Sequence, residues 1–245
     1  MTILVLAGTA EARDLIARLI ANGEEVIASL AGATRAPVPL GTATRQGGFG
    51  GDAGFSSWLA AHEPQLVIDA THPYAERVTR RSARICRQVG IPFLRIEREG
   101  WTPSAEDDWI FIDRPESARN HLPAGSRVFL ATGRQTLRQF ENLSDCTLFC
   151  RQIDPPDRPF PFPNGEYVVG RPPFSIPEEV DLFTKLAIDF LVVKNSGGTA
   201  SRSKLDAAAQ MGLTVLMIER PQTVACETVA TVGDAMDWVA RHALD

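Results

Sequence analysis

The chain states one pattern twice. Leu4 to Thr9 reads Leu-Val-Leu-Ala-Gly-Thr and Phe129 to Arg134 reads Phe-Leu-Ala-Thr-Gly-Arg, so Gly8 and Gly133 close an apolar run in each half. The same shift in numbering aligns Leu66-Val67-Ile68 with Leu191-Val192-Val193. Each of these runs enters a short polar turn, Asp69-Ala70-Thr71-His72 or Lys194-Asn195-Ser196-Gly197. A helical stretch, a glycine (Gly90, Gly212) and a further apolar run follow in both halves, ending Arg95-Ile96-Glu97-Arg98 and Met217-Ile218-Glu219-Arg220. The last pair is three residues closer in numbering, so the second copy is slightly shorter. Apolar strands alternating with amphipathic helices make parallel sheets covered on both faces. The fold class expected is therefore α/β, with two Rossmann-like parallel-sheet lobes related by an internal repeat and an interlobe cleft where function is sought. Periodicity leaves open whether the lobes exchange strands. The expected division is residues 1–100, a crossing segment 101–125, and residues 126–245.

Within the first lobe the pattern predicts a strand at Ile3 to Ala7, a helix from Ala10 to Ala21 and a strand at Glu25 to Ser29. Leu15, Leu19 and Ile20 recur at helical spacing and Asn22-Gly23 supplies the stop. Gly47-Gly48-Phe49-Gly50-Gly51 is a loop whose backbone can approach a ligand closely. A helix over Ala53 to His62 then leads to the strand Leu66 to Asp69. The segment from Arg98 to Gly125, with Trp101, Trp109 and the acidic run Glu106-Asp107-Asp108, reads as the crossing. Asp154 to Pro163 is an extended proline-rich surface loop. Arg171-Pro172-Pro173-Phe174 precedes a helix beginning near Ile176.

Composition narrows the function classes. With 44% hydrophobic and 22% charged residues the chain is an ordinary globular protein, and no apolar run is long enough to span a bilayer. The opening Met1 to Ala7 lacks the basic start and the length of a signal-peptide core, so a cytoplasmic location is expected. A net charge of -5 argues against a nucleic-acid partner. Of the four cysteines, Cys146 and Cys150 form the one close pair, with no histidine at metal-ligand spacing; buried thiols are expected and no metal.

Ligands of open parallel sheets bind outside the carboxyl ends of the strands. Four turns occupy that position: Ala7-Gly8-Thr9, Asp69-Ala70-Thr71-His72, Thr132-Gly133-Arg134-Gln135 and Lys194-Asn195-Ser196-Gly197-Gly198. The first has one glycine where the dinucleotide fingerprint has three. After the second strand, Ser29-Leu30-Ala31-Gly32-Ala33-Thr34-Arg35 holds no acid and one arginine, which suits the 2′-phosphate of NADPH better than the 2′-hydroxyl of NAD. Arg35 reads more readily as a solvated surface charge, since arginine is mostly exposed in any protein. His72, beside Pro73 and Tyr74, reads evenly as a structural or a catalytic histidine. Arg134 and Lys194 are carboxylate binders by type. Asn195 to Gly198 is read as a helix start able to hold an anion, while Thr199 and Ser201 read equally as helix caps. No nucleophile elbow, Walker lysine motif or zinc-protease motif is present.

Taken together, Gly8-Thr9-Ala10-Glu11-Ala12, Ser29-Leu30-Ala31-Gly32, Gly47-Gly48-Phe49-Gly50-Gly51, Asp69-Ala70-Thr71-His72-Pro73, Thr132-Gly133-Arg134-Gln135 and Lys194-Asn195-Ser196-Gly197-Gly198 resemble the precorrin-6A reductase family, including its cobalt-precorrin counterpart. The sequence departs from that pattern at Ala7, Tyr74 and Pro172. The resemblance implies NADPH-dependent reduction of one double bond of the precorrin-6A macrocycle, giving precorrin-6B in corrin-ring construction. It further implies a cofactor site at Gly8, Thr9, Ser29, Arg35 and Thr71, and a tetrapyrrole as the small-molecule partner. The macrocycle would rest on Gly48, Phe49 and Gly50 and on Thr132, Gly133, Arg134, Gln135, Lys194, Asn195, Ser196 and Gly197. His72, Tyr74 or water would supply the proton. The equivalent lobes permit the reverse assignment too. A non-redox two-lobed tetrapyrrole enzyme and a non-catalytic anionic-ligand-binding protein are the competing readings. A monomer or weak homo-oligomer is expected.

Overall fold

The computed structural model describes residues 1–32, 38–199 and 201–243. The chain divides into two compact units, Met1–Glu99 with Pro221–Asp245, and Gly100–Arg220. Unit 1 begins with β1 (Thr2–Leu6), α1 (Ala10–Ala21), β2 (Glu25–Leu30), β3 (Ala43–Gln46), α2 (Gly51–His62), β4 (Leu66–Asp69), α3 (Glu76–Val89) and β5 (Phe93–Ile96). Unit 2 follows with β6 (Trp109–Ile112), a 3₁₀ helix at Pro115–Asn120, β7 (Arg127–Leu130), a second 3₁₀ helix at Arg134–Phe140, β8 (Thr147–Gln152), β9 (Gly165–Val169), α4 (Ile176–Lys185), β10 (Phe190–Lys194), α5 (Ser203–Met211) and β11 (Thr214–Ile218). The chain then returns to unit 1 as β12 (Glu227–Val229) and α6 (Val232–His242).

Each unit holds one parallel sheet of six strands, ordered β12-β5-β4-β1-β2-β3 in unit 1 and β6-β11-β10-β7-β8-β9 in unit 2. The two orders superpose strand for strand under the repeat. They also establish strand exchange: β6 follows β5 along the chain yet pairs with β11, while β12 follows β11 yet pairs with β5. The boundaries therefore differ from those expected in two places. The segment read as a crossing contributes the strand Trp-Ile-Phe-Ile of β6 to unit 2, and the last 25 residues, Pro221–Asp245, belong to unit 1.

The helices form for local reasons. Thr9 caps α1, its Oγ1 accepting from the Ala12 N–H at 3.1 Å, and Leu15, Ile16 and Leu19 place a fully buried stripe against the unit 1 core. Trp238 and Val239 of α6 share that core, so the returning segment is held by apolar burial worth about 1.5–3 kcal/mol per large side chain. In unit 2, Ser175 and Glu178 form a reciprocal capping box at the start of α4. The proline-rich stretch from Asp154 to Pro163 contains neither helix nor strand, as expected.

Candidate functional site

The carboxyl ends of β4, β1, β2 and β3, which are neighbours in the unit 1 sheet, collect most of the candidate residues of that half. At the end of β1, Gly8 takes φ +144°, and a Cβ there would meet nothing within 4 Å, so its backbone is open to close approach. Thr9 is committed on both sides: beyond its cap to Ala12, its hydroxyl donates to the Ala70 carbonyl at 2.8 Å, tying the β1 turn to the β4 turn. The first-turn N–H groups ahead of Ala12 remain outside the intrahelical ladder, and these orphan donors with the helix dipole favour an anion. Glu11, in that same turn, is paired with Arg98 at 2.6 Å, which offsets its charge.

The β4 turn is organised by Asp69, which is wholly buried. Its Oδ1 accepts from the Thr71 N–H and hydroxyl at 3.0 and 2.7 Å, and its Oδ2 accepts from Thr79 at 2.6 Å and Arg95 at 2.9 Å. Arg95 also reaches Glu97 at 2.9 Å and the Pro73 carbonyl at 3.5 Å. Burial alone would lower the Arg95 pKa, but Asp69 and Glu97 outweigh it and hold it above its ordinary value. Thr71 is thus a held residue, and the held turn presents His72 and Tyr74, both half-buried, with ring centres 5.6 Å apart. The Tyr74 N–H donates to His72 Nδ1 at 3.3 Å, which puts the neutral imidazole proton on Nε2.

Ser29 is buried at the end of β2, and its hydroxyl accepts from Arg45 at 2.8 Å. Arg45 was not singled out by the sequence, yet it shapes the glycine loop, donating to the Gly47 and Gly48 carbonyls at 2.9 Å each. Phe49 turns inward, edge-on to Phe55 at 4.8 Å and Trp58 at 5.6 Å, so it serves as a packing wedge beneath the loop. Gly48 and Gly50 are exposed, and Gly50 is the left-handed cap of α2. Arg35 lies outside the described residues.

The unit 2 candidates gather at the ends of β7 and β10, which are also neighbours. Thr132 is buried with no hydrogen-bond partner at Oγ1 among the described residues, and Gly133 leads into the 3₁₀ helix that exposes Arg134 and Gln135. Burial lowers the Lys194 pKa from its ordinary value. Asn195 is spent on architecture: its Oδ1 accepts from the Trp101 N–H at 2.7 Å and its Nδ2 donates to the Trp101 carbonyl at 3.0 Å. Ser196 and Gly197 are buried. The helix-start reading of this turn does not hold, because α5 begins at Ser203 with Arg202 as cap and no side-chain capping bond. The helix dipole fades within its first turn, so it does not reach Asn195, and neither Thr199 nor Ser201 is the cap.

Comparison with known proteins settles the lineage. The family model described as Precorrin-6x reductase CbiJ/CobK matches residues 2–240. The chain belongs to the precorrin-6x reductase family. Membership makes it an oxidoreductase. Among relatives of this family, the precorrin-6A reductase of Rhodobacter capsulatus is 39% identical, the alignment covering 98% of this chain and 96% of the relative. That of Rhodococcus erythropolis is 42% identical over 97% of this chain and 96% of its own. A cobalt-precorrin-6A reductase from Priestia megaterium is 25% identical, covering 90% of this chain and 91% of the relative. A solved structure titled CobK precorrin-6A reductase superposes with a TM-score of 0.94 at 39% identity, covering 99% of this chain and 97% of that one. The fold described above is therefore the fold of this family. Among the described residues, no helix is long and apolar enough to cross a membrane.

Proposed function

We propose that this chain reduces one double bond of the precorrin-6A macrocycle to precorrin-6B with NADPH as hydride donor. The observation that carries this reading is similarity to precorrin-6A reductases over almost the whole length of both chains. The higher identity to those relatives than to the cobalt-precorrin enzyme favours the metal-free ring.

Unit 1 suits the nucleotide better than unit 2 does. Gly8 with its open backbone runs directly into a capped α-helix, whereas the equivalent Gly133 runs into a 3₁₀ helix, whose hydrogen-bond geometry is poorer. Gly8 and the first turn of α1 would receive the pyrophosphate, with Thr9 fixing the cap, and Ser29 and Arg35 would face the adenosine ribose. Thr71, fixed by Asp69, would border the same site. When bound, NADPH supplies the hydride.

The other carbon of the reduced bond needs a proton, and His72, Tyr74 or water would supply it. With Nδ1 accepting from the Tyr74 N–H, the neutral His72 ring would orient the proton donor through its Nε2–H, and the buried Asp69–Arg95 network holds the turn that carries both residues. Arg134 and Lys194 would bind carboxylates fringing the ring, each charge-assisted bond contributing about 1.5–3 kcal/mol where shielded from water.

The test is anaerobic incubation of the purified chain with precorrin-6A and NADPH, following NADPH absorbance and the ring spectrum together. One-to-one loss of NADPH with a shifted ring spectrum is the expected result. A bound ring with no loss of NADPH rejects the redox reading. An unchanged single-turnover rate in His72→Ala rejects a role for His72 in proton delivery while leaving the reductase reading in place.

A further inference from the structure

Both units stack an arginine on the phenylalanine that precedes a helix cap, but only one of the two arginines is neutralised. In unit 2, Phe174 precedes the α4 cap Ser175, and the Arg151 guanidinium carbon lies 4.2 Å from its ring centre. The Arg151 fork is filled by Glu179, whose two oxygens accept at 2.6 and 2.8 Å. In unit 1, Phe49 precedes the α2 cap Gly50, and Arg45 lies 3.7 Å from its ring centre. Counting from the caps, the residue that corresponds to Glu179 is Gly54. A Cβ on Gly54 would come within 1.7 Å of the Phe49 carbonyl oxygen, so no carboxylate can stand there.

Strand register makes the comparison positional. Ser29 of β2 pairs with Arg45 of β3, and the repeat-related pair is Arg151 of β8 with Val168 of β9. Unit 1 thus keeps its arginine on the outer strand and puts a small hydroxyl residue beside it. Among the described residues, the acceptors of Arg45 are the Ser29 hydroxyl and the Gly47 and Gly48 carbonyls, all uncharged. A second guanidinium joins it: Arg81 of α3 lies 5.4 Å from the same Phe49 ring centre, and its buried Nε has no hydrogen-bond partner among the described residues. Two carboxylates act on Arg81, Asp52 and more weakly Asp69, and each is already paired, with Arg84 and Arg95 respectively.

We propose that Arg45 and Arg81 form a phosphate clamp over Phe49 that binds the 2′-phosphate of NADPH and sets the preference for NADPH over NADH. The proposal rests on the reading of unit 1 as the nucleotide-binding unit. Its position fits, since a doubly wound domain reads the adenosine ribose just beyond β2, where Ser29 lies. Its charge fits too. A phosphomonoester carries about -1.5 to -2 charges at neutral pH, enough to compensate two guanidinium groups, and planar guanidinium forks match phosphate oxygens. A ribose 2′-hydroxyl offers no charge and would leave Arg45 with uncharged acceptors alone. Unit 2 cannot do the same, because Glu179 already occupies its arginine.

The experiment is calorimetric titration of the full chain with NADP⁺ and, separately, NAD⁺, for wild type, Arg45→Gln and Arg81→Gln. Arg81→Gln is the decisive variant, because it leaves the Arg45 bonds to the glycine loop in place. The expected result is that wild type prefers NADP⁺ and that each variant weakens NADP⁺ binding about tenfold or more while NAD⁺ binding stays the same. A wild type without preference, or variants that weaken both nucleotides alike or neither, overturns the clamp and leaves the nucleotide reading of unit 1 standing. A wild type that binds neither nucleotide overturns that reading, and the clamp with it.

Discussion

The Asp69 carboxylate meets the Arg95 guanidinium at 2.9 Å with the two side chains 0% and 4% exposed. An ion pair this deep is costly to break from one side, because the surviving charge stays buried without its partner. Arg95→Met is expected to lower the unfolding free energy by about 3–5 kcal/mol, read from urea denaturation. Asp69→Asn should cost a comparable amount and also release the Thr71 and His72 turn. The double variant should lose clearly less than the two single losses added. Strict additivity would show that the two groups do not act as a pair.

Gly54 and Gly48 make a matched contrast within a few residues of each other. Gly54 has the Phe49 carbonyl oxygen 1.7 Å from where a Cβ would sit, whereas a Cβ on Gly48 meets nothing within 4 Å. Gly54→Ala must displace the start of α2 or the glycine loop, so a loss of about 2 kcal/mol or more is expected, against about 0.5 kcal/mol or less for Gly48→Ala. Equal thermal midpoints for the two variants would contradict the close approach.

Much of this fold is legible because its strands are buried on both faces and read as plain apolar runs. β1, β4, β10 and β11 announce themselves in that way, and α1 is bounded by the Thr9 cap and the Asn22-Gly23 stop. β3 is not legible: Ala43-Thr44-Arg45-Gln46 buries no apolar side chain, and the strand joins the sheet edge through its backbone bonds and the reach of Arg45 to Ser29. β6 carried a signal, Trp-Ile-Phe-Ile, that was obscured by the acids and prolines around it. Its partner could not be read at all, since periodicity specifies which face a side chain takes and not which strand lies alongside. The same limit applies to the site. The turns at strand ends can be found by rule, but the contacts that fix them, Asp69 with Arg95 and Asn195 with Trp101, join residues far apart in the chain.

Thiol chemistry offers a simple probe of burial. Burial pushes the Cys86 and Cys150 thiols up to about 12, and Cys146, buried as well, is raised in the same direction. Cys226 is also raised by burial, but it is partly accessible, near the three-residue β12 edge strand. Since the thiolate is the reacting species, iodoacetamide should label Cys226 first in the folded protein and the other three only after denaturation. Peptide mapping by mass spectrometry checks this, and early label on Cys86 or Cys150 would contradict the packing of α3 or β8.

Lys204 gives the chain a pH dependence of definite sign. The residue lies in the first turn of α5, with its ammonium donating to the Ser201 carbonyl and 5.7 Å from the Trp101 ring centre. Burial is the main cause that pushes its pKa down to about 8, with Glu179 opposing part of the shift. An unfolded lysine titrates near 10.4, so between about 8 and 10.4 the unfolded chain binds the extra proton and stability gains from rising pH. The penalty for burying the charge is fully present below that window and is relieved above it. Lys204→Met should therefore raise the urea midpoint at neutral pH, and its advantage over wild type should shrink steadily as the pH is raised toward 10. A constant advantage across that range would mean that Lys204 keeps its ordinary titration in the folded protein.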